Sequence, residues 1–321
     1  MAKESGLISY VVPAYNEQAS VRSFYVDLVK VVERELPGYK REIIFVDDGS
    51  TDKTLSLLTE IATHDTTVRV MSLSRNFGKE LALTAGITAA EGDAIMTLDA
   101  DGQFPAELIP EFVKHWQDGA DVVIGVRTSN ANEGLVKRYG SKLFYKIINA
   151  MPDVRLTPGA SDFRLIDREV QAEFIRCSER NRIARGLIDW LGFEHHYVHF
   201  AAKARAAGEA PQTFRKLFAL SIDSLISLSR SPLYFAAYLG AIIVPCSLLL
   251  LLAMVLNQLF GDRLHLHVTG SAYVVVGLTS LVGVLLISQG ILGIYLSSIH
   301  AETQGRPLYV VNKRRSVNLK K

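Results

Sequence analysis

A short apolar run leads into the residues with the clearest capacity for chemistry. Ala94 to Leu98 has the composition of a buried strand, and Asp99, Ala100 and Asp101 follow it directly. On a continuing strand, residues two apart share a face, so the two carboxylates would lie side by side. Carboxylate oxygens in this arrangement suit Mg²⁺ or Mn²⁺ that carries the phosphates of a substrate. The alternative is a solvated turn after the strand, a common setting for an isolated Asp-x-Asp sequence.

The elements that would position this pair alternate between strands and helices. Four apolar runs are predicted as strands: residues 7–12, 42–46, 68–73 and 94–98. Three stretches with helical periodicity lie between them: residues 20–36, 51–64 and 79–90. This alternation is typical of a doubly wound α/β fold with a mostly parallel sheet, in which ligands bind beyond the carboxyl ends of the strands. Polar clusters follow three of these ends: residues 13–17, 47–50 and 99–101.

A nucleotide diphosphate is the ligand that these clusters predict. The sequence contains neither the Gly-x-Gly-x-x-Gly fingerprint after the first strand nor a Gly-x-x-x-x-Gly-Lys-Ser/Thr loop, so another device must hold the phosphates. Tyr15 could stack on a base, and Asp48 could accept a hydrogen bond from a ring N–H such as that of uracil. Each residue also has an ordinary alternative, core packing for Tyr15 and a turn or helix cap for Asp48. Their combination with Asp99 and Asp101 favours the pocket.

Two long runs without charge set the second half of the chain apart. Hydrophobic residues make up 49% of the sequence, and residues 231–261 and 268–299 carry no charged side chain. Each run exceeds the roughly 20 residues that cross a bilayer, so we predict transmembrane helices over about 232–260 and 270–298. Two buried core helices are the alternative. The expected domains are a cytoplasmic catalytic domain (1–200), a juxtamembrane amphipathic segment with an interfacial helix (201–230) and a membrane part with a basic tail (231–321).

The distribution of basic residues predicts the orientation. Lys and Arg flank the two apolar runs on their outer sides, whereas Arg263 alone lies between them. Because no signal peptide pattern opens the sequence, we expect a multi-pass protein of the inner (plasma) membrane with the catalytic domain and both termini in the cytoplasm. The basic tail is expected to contact anionic lipid headgroups. The net charge of +2 is too small to indicate nucleic acid, and Cys177 and Cys246 lack disulfide or metal-site spacing.

The three strand ends carry the motifs Val-Pro-Ala-Tyr-Asn-Glu (12–17), Val-Asp-Asp-Gly-Ser-Thr-Asp (46–52) and Leu-Asp-Ala-Asp-Gly-Gln-Phe-Pro (98–105). These motifs resemble those of the family 2 inverting glycosyltransferases with the GT-A fold. Within that family, other segments resemble the polyprenyl-phosphate glycosyltransferases, the group of bactoprenol glucosyltransferase and dolichyl-phosphate mannose synthase. These segments are 125–127, 137–141, 161–164 and the two apolar runs. The resemblance implies a Rossmann-like GT-A catalytic domain, followed by interfacial helices and two transmembrane helices.

The resemblance also implies roles for individual residues. Nucleotide binding is expected at Pro13, Tyr15, Glu17, Asp48 and Asp99. The metal, Mg²⁺ or Mn²⁺, is expected at Asp99, Asp101 and Gln103. The acceptor phosphate is expected at Arg127 after a fifth strand, at Lys137 or Arg138, at Ser141, and at Arg205 before the interfacial helix.

Two carboxylates are the candidates for a catalytic role, Asp101 and Asp162. Asp162 could act as a base, or it could orient Arg164 or a sugar hydroxyl. A base is not required by the chemistry, because a phosphate monoester is largely ionised at neutral pH.

The expected activity is inverting transfer of a hexose, with glucose preferred, from a UDP-sugar to polyprenyl (undecaprenyl) phosphate, which gives a β-linked lipid-phosphate sugar. N-acetylhexosamine, galactose, mannose from GDP-mannose and a modified pentose are alternative sugars. A processive polysaccharide synthase would carry a Gln/Arg-x-x-Arg-Trp motif, which Leu187-Ile188-Asp189-Trp190 does not match. A nucleotide-sugar sensor and a lipid flippase are the non-enzyme alternatives. Small residues in the second run would allow a homo-oligomer.

Overall fold

The computed structural model describes residues 5–102, 104–128, 159–180, 182–201, 249 and 270–319. Its contacts divide the chain into two compact units. One consists of Met1–Ser221 with Arg306–Lys321, and the other of Ile222–Gly305. The candidate site lies in the first unit, which is built around a sheet.

The sheet of the first unit is mostly parallel, as predicted. Its described strands are β1 (Gly6–Ala14), β2 (Tyr39–Asp47), β3 (Val68–Ser72), β4 (Ala94–Thr97), β5 (Val122–Arg127), β6 (Ala160–Asp167) and β7 (His195–Phe200). Their spatial order is β3-β2-β1-β4-β6-β5-β7. Only β6 runs antiparallel to its neighbours, β4 and β5, among these strands. The first residues of β6 therefore lie at the same sheet edge as the carboxyl ends of β4 and β5.

Helices cover both faces of this sheet. The described α-helices of the first unit are α1 (Val21–Glu35), α2 (Thr54–His64), α3 (Lys79–Ala89), α4 (Ile109–Gln117), α5 (Arg168–Arg176) and α6 (Ala184–Trp190). The second unit contains α7 (Gly270–Thr303). The first, second and fourth helices pack with Tyr10 and Val12 of β1, and the third, fifth and sixth pack with Val11. Successive residues of a strand point to opposite faces of the sheet, so one apolar strand contributes to the cores on both faces. The predicted helices at 20–36, 51–64 and 79–90 correspond closely to α1, α2 and α3.

The first strand is longer than predicted. Pro13 was expected to end the strand at residue 12, but β1 continues to Ala14, and Pro13 pairs with Val46 of β2. On the other side, the pairing of β1 with β4 ends at Val11 and Thr97. The Val11 carbonyl accepts a hydrogen bond on the β4 side, and the Ala14 carbonyl accepts one on the β2 side. Because the backbone groups of residues two apart point to the same side of a strand, the nitrogen of Pro13 faces β4, beyond the last residue pair of that ladder. A residue without an N–H is tolerated there.

The segment after residue 305 closes the free edge of the sheet. Val311 and Val317 form isolated bridges with Leu73 and with Val70 of β3. The Val317 N–H donates to the Val70 carbonyl at 2.9 Å, and the Ser74 N–H donates to the Val310 carbonyl at 2.8 Å. Residues 310–317, here called the C-terminal strap, were expected to be part of a basic tail. They belong to the unit that contains the sheet, and contact of the tail with lipid stays a prediction.

The predicted spans fall in the second unit. The helix α7 occupies the range of the second predicted span. Measured over the described part of the chain, no helix combines the length and the apolar character that a membrane crossing requires. The first predicted span apart from Leu249, and the juxtamembrane segment apart from Ala201, lie outside the described residues.

Candidate functional site

Two loops at the carboxyl edge of the sheet are tied together by side-chain hydrogen bonds. The side-chain oxygen of Asn16, in the loop after β1, accepts a hydrogen bond from the Thr51 N–H at 2.9 Å, and the Asn16 N–H donates to Ser50 Oγ at 3.0 Å. The Glu17 N–H donates to Thr54 Oγ1 at 2.8 Å. Asn16 adopts a positive φ of 56°, which asparagine tolerates better than most residues. These bonds give the site a preorganised wall.

Asp48 fastens a third loop to this wall. Its Oδ1 accepts a hydrogen bond from the Phe77 N–H at 2.7 Å, and its Oδ2 accepts one from the Gly78 N–H at 2.9 Å. The side chain is buried. Burial raises the pKa of Asp48, although the two backbone N–H groups oppose the shift. Asp48 therefore holds the loop after β3, in addition to any bond that it makes to a base.

Gly49 makes the close approach of that loop possible. It has a φ of +72°, and a Cβ at this position would lie 2.6 Å from the Arg75 carbonyl carbon. Any side chain here would push the β3–α3 loop away from the end of β2. The Asp-Gly pair of the second motif thus has a structural basis, since Asp48 binds the loop and Gly49 leaves room for it.

A lysine connects two carboxylates at the base of the site. Lys79, the first residue of α3, places its Nζ 2.6 Å from Asp99 Oδ1 and 2.7 Å from Asp162 Oδ2. Asp99 follows β4, and Asp162 lies near the start of the antiparallel strand β6. The reversed direction of β6 is what brings Asp162 to this edge.

The electrostatics of the three groups are coupled. Burial alone would lower the pKa of Lys79, but the two carboxylates raise it, so the ammonium stays protonated. Burial raises the pKa of Asp99, against the opposing effect of Lys79, and the nearby charges of Asp162 and Asp101 raise it further. Burial also acts to raise the pKa of Asp162, but the Lys79 ammonium outweighs it and holds that pKa below its usual value. A carboxylate with a lowered pKa is a weak general base.

Lys79 and Asp99 line a cleft with a volume of about 280 Å³. Its lining consists of Pro13, Ala14, Tyr15, Glu17, Asp48, Asn76, Gly78, Lys79, Ala82, Asp99, Ala100 and Asp101. The Tyr15 residue is 44% exposed, which leaves its ring available for stacking. All five residues predicted to bind the nucleotide line this cleft, together with Asp101. Among the described residues, no three His, Cys, Asp or Glu side chains converge as a complete metal site.

Arg127 lies at the end of β5, outside the lining of this cleft. Its guanidinium carbon lies 5.1 Å from the centre of the Phe104 ring. Phe104 packs against Phe163 and Phe200, with ring centres 5.3 and 5.6 Å away. The Nε of Arg127 is buried and has no hydrogen-bond partner within the described parts of the chain. A buried donor of this kind is costly unless an acceptor reaches it.

Of the alternatives left open for Asp162, a contact that orients Arg164 is not observed. Arg164 is buried and donates from Nη1 to Asp189 Oδ1 at 2.6 Å and from Nε to the Ser161 carbonyl at 3.1 Å. Asp162 instead contacts Lys79. Residues two apart on a strand share a face, but Asp162 and Arg164 reach different partners: Lys79 at the start of α3 and Asp189 in α6.

Sequence reasoning missed Lys79 and Asn76. Both follow β3, whose carboxyl end lies at the same edge as those of β1, β2 and β4, so the strand-end rule would have included them. Lys79 was assigned only to the start of a helix. Five predicted site residues lie outside the described residues: Gln103, Lys137, Arg138, Ser141 and Arg205.

A mostly parallel α/β sheet with an acidic cleft beyond its strand ends is the architecture of a GT-A-like fold. Residues 9–174 match glycosyl transferase family 2. The chain belongs to this family and is a glycosyltransferase, as the motifs predicted. The sensor and flippase alternatives are therefore wrong.

Relatives of this chain extend over almost its full length. It is 38% identical over 305 residues to an uncharacterised glycosyltransferase of Synechocystis, with 95% of this chain and 94% of the relative covered. It is 36% identical over 307 residues to the SfII prophage-derived bactoprenol glucosyl transferase of Shigella flexneri, with 95% and 97% covered. The second of these relatives confirms the predicted resemblance to the polyprenyl-phosphate glycosyltransferases.

A solved structure supports the fold. The mannosyl-3-phosphoglycerate synthase from Rubrobacter xylanophilus superimposes with a TM-score of 0.52 at 20% identity, covering 70% of this chain and 74% of that one. This similarity shows a GT-A-like α/β fold.

Proposed function

We propose that this glycosyltransferase moves a hexose, with glucose preferred, from a UDP-sugar to polyprenyl phosphate. The observation that carries the proposal is the cleft, which sets the exposed ring of Tyr15 and the carboxylate of Asp48 beside Asp99 and Asp101. The acceptor class is supported by the relatives that are named bactoprenol glucosyl transferases. Mannose from GDP-mannose, galactose, N-acetylhexosamine and a modified pentose remain the alternative sugars.

The donor is expected to lie along the cleft. Tyr15 would stack on the uracil ring, and Asp48, besides holding the β3–α3 loop, has lone pairs left to accept from the uracil N–H. This arrangement directs the diphosphate toward Asp99 and Asp101. The sugar would then lie beyond the diphosphate, on the side of Asp162.

A divalent cation fits the donor set of this cleft. Mg²⁺ is commonly held by one or two carboxylates together with substrate phosphates, and not by an all-protein cage. Asp99 and Asp101 supply such carboxylates, and Gln103 would add an amide oxygen. The cation, Mg²⁺ or Mn²⁺, would neutralise charge on the departing diphosphate.

The acceptor supplies its own nucleophile. An ionised oxygen of the polyprenyl phosphate attacks the anomeric carbon, the bond from that carbon to the β-phosphate oxygen of UDP breaks, and UDP leaves with the electron pair. Attack from the opposite face inverts the anomeric centre and gives a β-linked product. The lowered pKa of Asp162 makes it a weak base, which agrees with a reaction that needs positioning more than deprotonation.

We further propose that the reaction takes place at the cytoplasmic face of the inner membrane. The two charge-free runs would anchor the chain, and both termini would lie inside. The lipid acceptor supports this location, since its tail remains in the bilayer. Labelling of single cysteines placed in residues 262–267 and in the catalytic domain, from either side of sealed vesicles, tests this topology.

The substrate proposal is tested by incubating the purified full chain with undecaprenyl phosphate and a panel of radiolabelled nucleotide sugars. We expect label in the lipid phase, with UDP-glucose the most efficient donor and a β-linkage in the product. If only a different nucleotide sugar labels the lipid, that sugar, and not glucose, is the one transferred. Hydrolysis of the donor with no labelled lipid would contradict the proposed acceptor.

Metal dependence gives a separate prediction. EDTA should abolish transfer, and Mg²⁺ or Mn²⁺ should restore it. Asp101→Asn should remove most activity with an unchanged circular dichroism spectrum, because an amide is a weaker ligand for a hard cation. Asp118→Asn, on the exposed turn after α4, is the control and should retain activity. Full turnover in a chelator would contradict the metal role.

A further inference from the structure

The carboxylate of Asp99 already has a cationic partner within the chain. Lys79 Nζ lies 2.6 Å from Asp99 and 2.7 Å from Asp162. The lysine side chain is 45% exposed, whereas the two carboxylates are 17% and 18% exposed. The lysine side chain is therefore partly exposed, whereas the two carboxylates that its ammonium joins are largely shielded from solvent.

Hydrogen bonds fix the backbone around Lys79, which distinguishes this contact from that of a flexible surface lysine. Gly78, the residue before it, has a φ of +100°. The Gly78 N–H is bound by Asp48 Oδ2 at 2.9 Å. The Gly78 carbonyl accepts the Ala82 N–H at 3.1 Å in the first turn of α3. The same carboxylate that faces the expected base thus also fixes the position from which Lys79 reaches Asp99.

We propose that Lys79 is an internal cation that occupies Asp99 until the nucleotide diphosphate brings a divalent metal ion. This inference rests on the metal site of the proposed function and deepens it. A metal ion that approaches Asp99 in the absence of nucleotide meets the positive charge of Lys79 a few ångströms away and must displace it. The two carboxylates of Asp99 and Asp101 alone do not bind the metal ion strongly enough to offset the displacement of Lys79.

The donor changes this balance. A nucleoside diphosphate adds two to three negative charges and oxygen ligands of its own, so the cleft can hold both cations at once. Lys79 then keeps Asp162 as a partner and gives up Asp99 to the metal. The consequence is ordered binding: the metal ion enters with the donor, and the apo cleft does not accumulate it.

The test measures Mn²⁺ binding directly, by electron paramagnetic resonance of free Mn²⁺, on the purified full chain with and without UDP. The variants Lys79→Met and Lys79→Gln remove the charge, and either one suffices if the other does not fold. Lys79→Arg retains the charge. Lys114→Met, at an exposed lysine of α4 outside the cleft, is the matched control. Mixtures of Mn²⁺ and UDP without protein correct for binding to the nucleotide itself.

We expect wild type, Lys79→Arg and Lys114→Met to bind Mn²⁺ weakly without UDP and much more tightly with it. Without UDP, the neutral variants should bind Mn²⁺ at least about tenfold more tightly than wild type, because the competing charge is gone. Equal affinities for wild type and the neutral variants would overturn the role of Lys79, while tight binding by wild type with UDP would leave the proposed metal site intact. No binding by wild type even with UDP would overturn both.

Discussion

At the scale of residues, Asp48 shows how one side chain can serve both the fold and the ligand. Its two oxygens hold the Phe77 and Gly78 N–H groups, and the same carboxylate lines the cleft. The sequence pointed to a base contact, and the clamp on the β3–α3 loop was not foreseen. Loss of Asp48 would therefore release a loop as well as a ligand contact.

We predict that Asp48→Ala weakens UDP binding by about 1 to 3 kcal/mol, the range for loss of a charge-assisted hydrogen bond with its partners left unpaired. Asp48→Asn keeps one acceptor oxygen and should have a smaller effect. Isothermal calorimetry measures both, with Asp118→Ala as the control.

UDP methylated at N3 of uracil separates the two roles of Asp48. If Asp48 contacts that N–H, wild type should discriminate against the methylated ligand, and Asp48→Ala should not. Unchanged UDP affinity in Asp48→Ala would place the nucleotide elsewhere.

At the scale of elements, local pattern predicted the part of the fold in which apolar runs and helical periodicity alternate. The first four strands and first three helices were placed within a few residues. The antiparallel strand β6 was not predicted as an element, because its sequence Ala-Ser-Asp-Phe-Arg-Leu-Ile-Asp mixes charged and apolar residues. Its charges are satisfied by distant partners: Lys79 contacts Asp162, and Asp189 contacts Arg164. Such pairings depend on topology, which a local pattern does not contain.

The C-terminal strap is the other element that depends on topology. It covers β3, an edge strand of the sheet that would otherwise expose unpaired backbone groups. The Val310 carbonyl of the strap accepts a hydrogen bond from the Ser74 N–H, immediately before the loop that carries Asn76 and Gly78 and leads to Lys79. The strap therefore supports the cleft as well as the sheet edge.

We predict that Val317→Pro lowers the free energy of unfolding by about 1 to 3 kcal/mol, because the Val70 carbonyl loses its donor. Val317→Ala retains the N–H and is the matched control, which should lose only side-chain packing. Thermal unfolding followed by circular dichroism makes the comparison. Equal unfolding temperatures for the two variants would show that the strap's backbone bond contributes nothing to the sheet edge.

At the scale of the whole molecule, the proposed reaction must join a water-soluble donor to an acceptor whose tail stays in lipid. The acceptor phosphate can rise only to about headgroup depth, so the catalytic unit has to offer positive charge to it. Of the predicted acceptor residues, Arg127 is the one that the structure describes. It follows β5 at the carboxyl edge of the sheet, the same edge that carries the donor cleft. The donor and acceptor phosphates would thus bind at the same edge of the sheet, through different residues.

The described surroundings of Arg127 are compatible with a phosphate-binding role, which stays a prediction. Its guanidinium packs toward Phe104, and its buried Nε has no hydrogen-bond partner among the described residues. A phosphate would supply the missing acceptor and suits the planar donor fork of arginine.

We predict that Arg127→Met lowers kcat/KM for polyprenyl phosphate by at least about tenfold, since hydrogen bonds to charged groups contribute about 1.5 to 3 kcal/mol. Arg127→Lys should recover only part of this loss, because an ammonium is a point charge without the fork. The UDP affinity of both variants should match wild type, and Arg176→Gln, at an exposed arginine of α5, should change neither quantity. If Arg127→Met reduces UDP binding as much as transfer, or leaves transfer intact, the acceptor phosphate does not bind at Arg127.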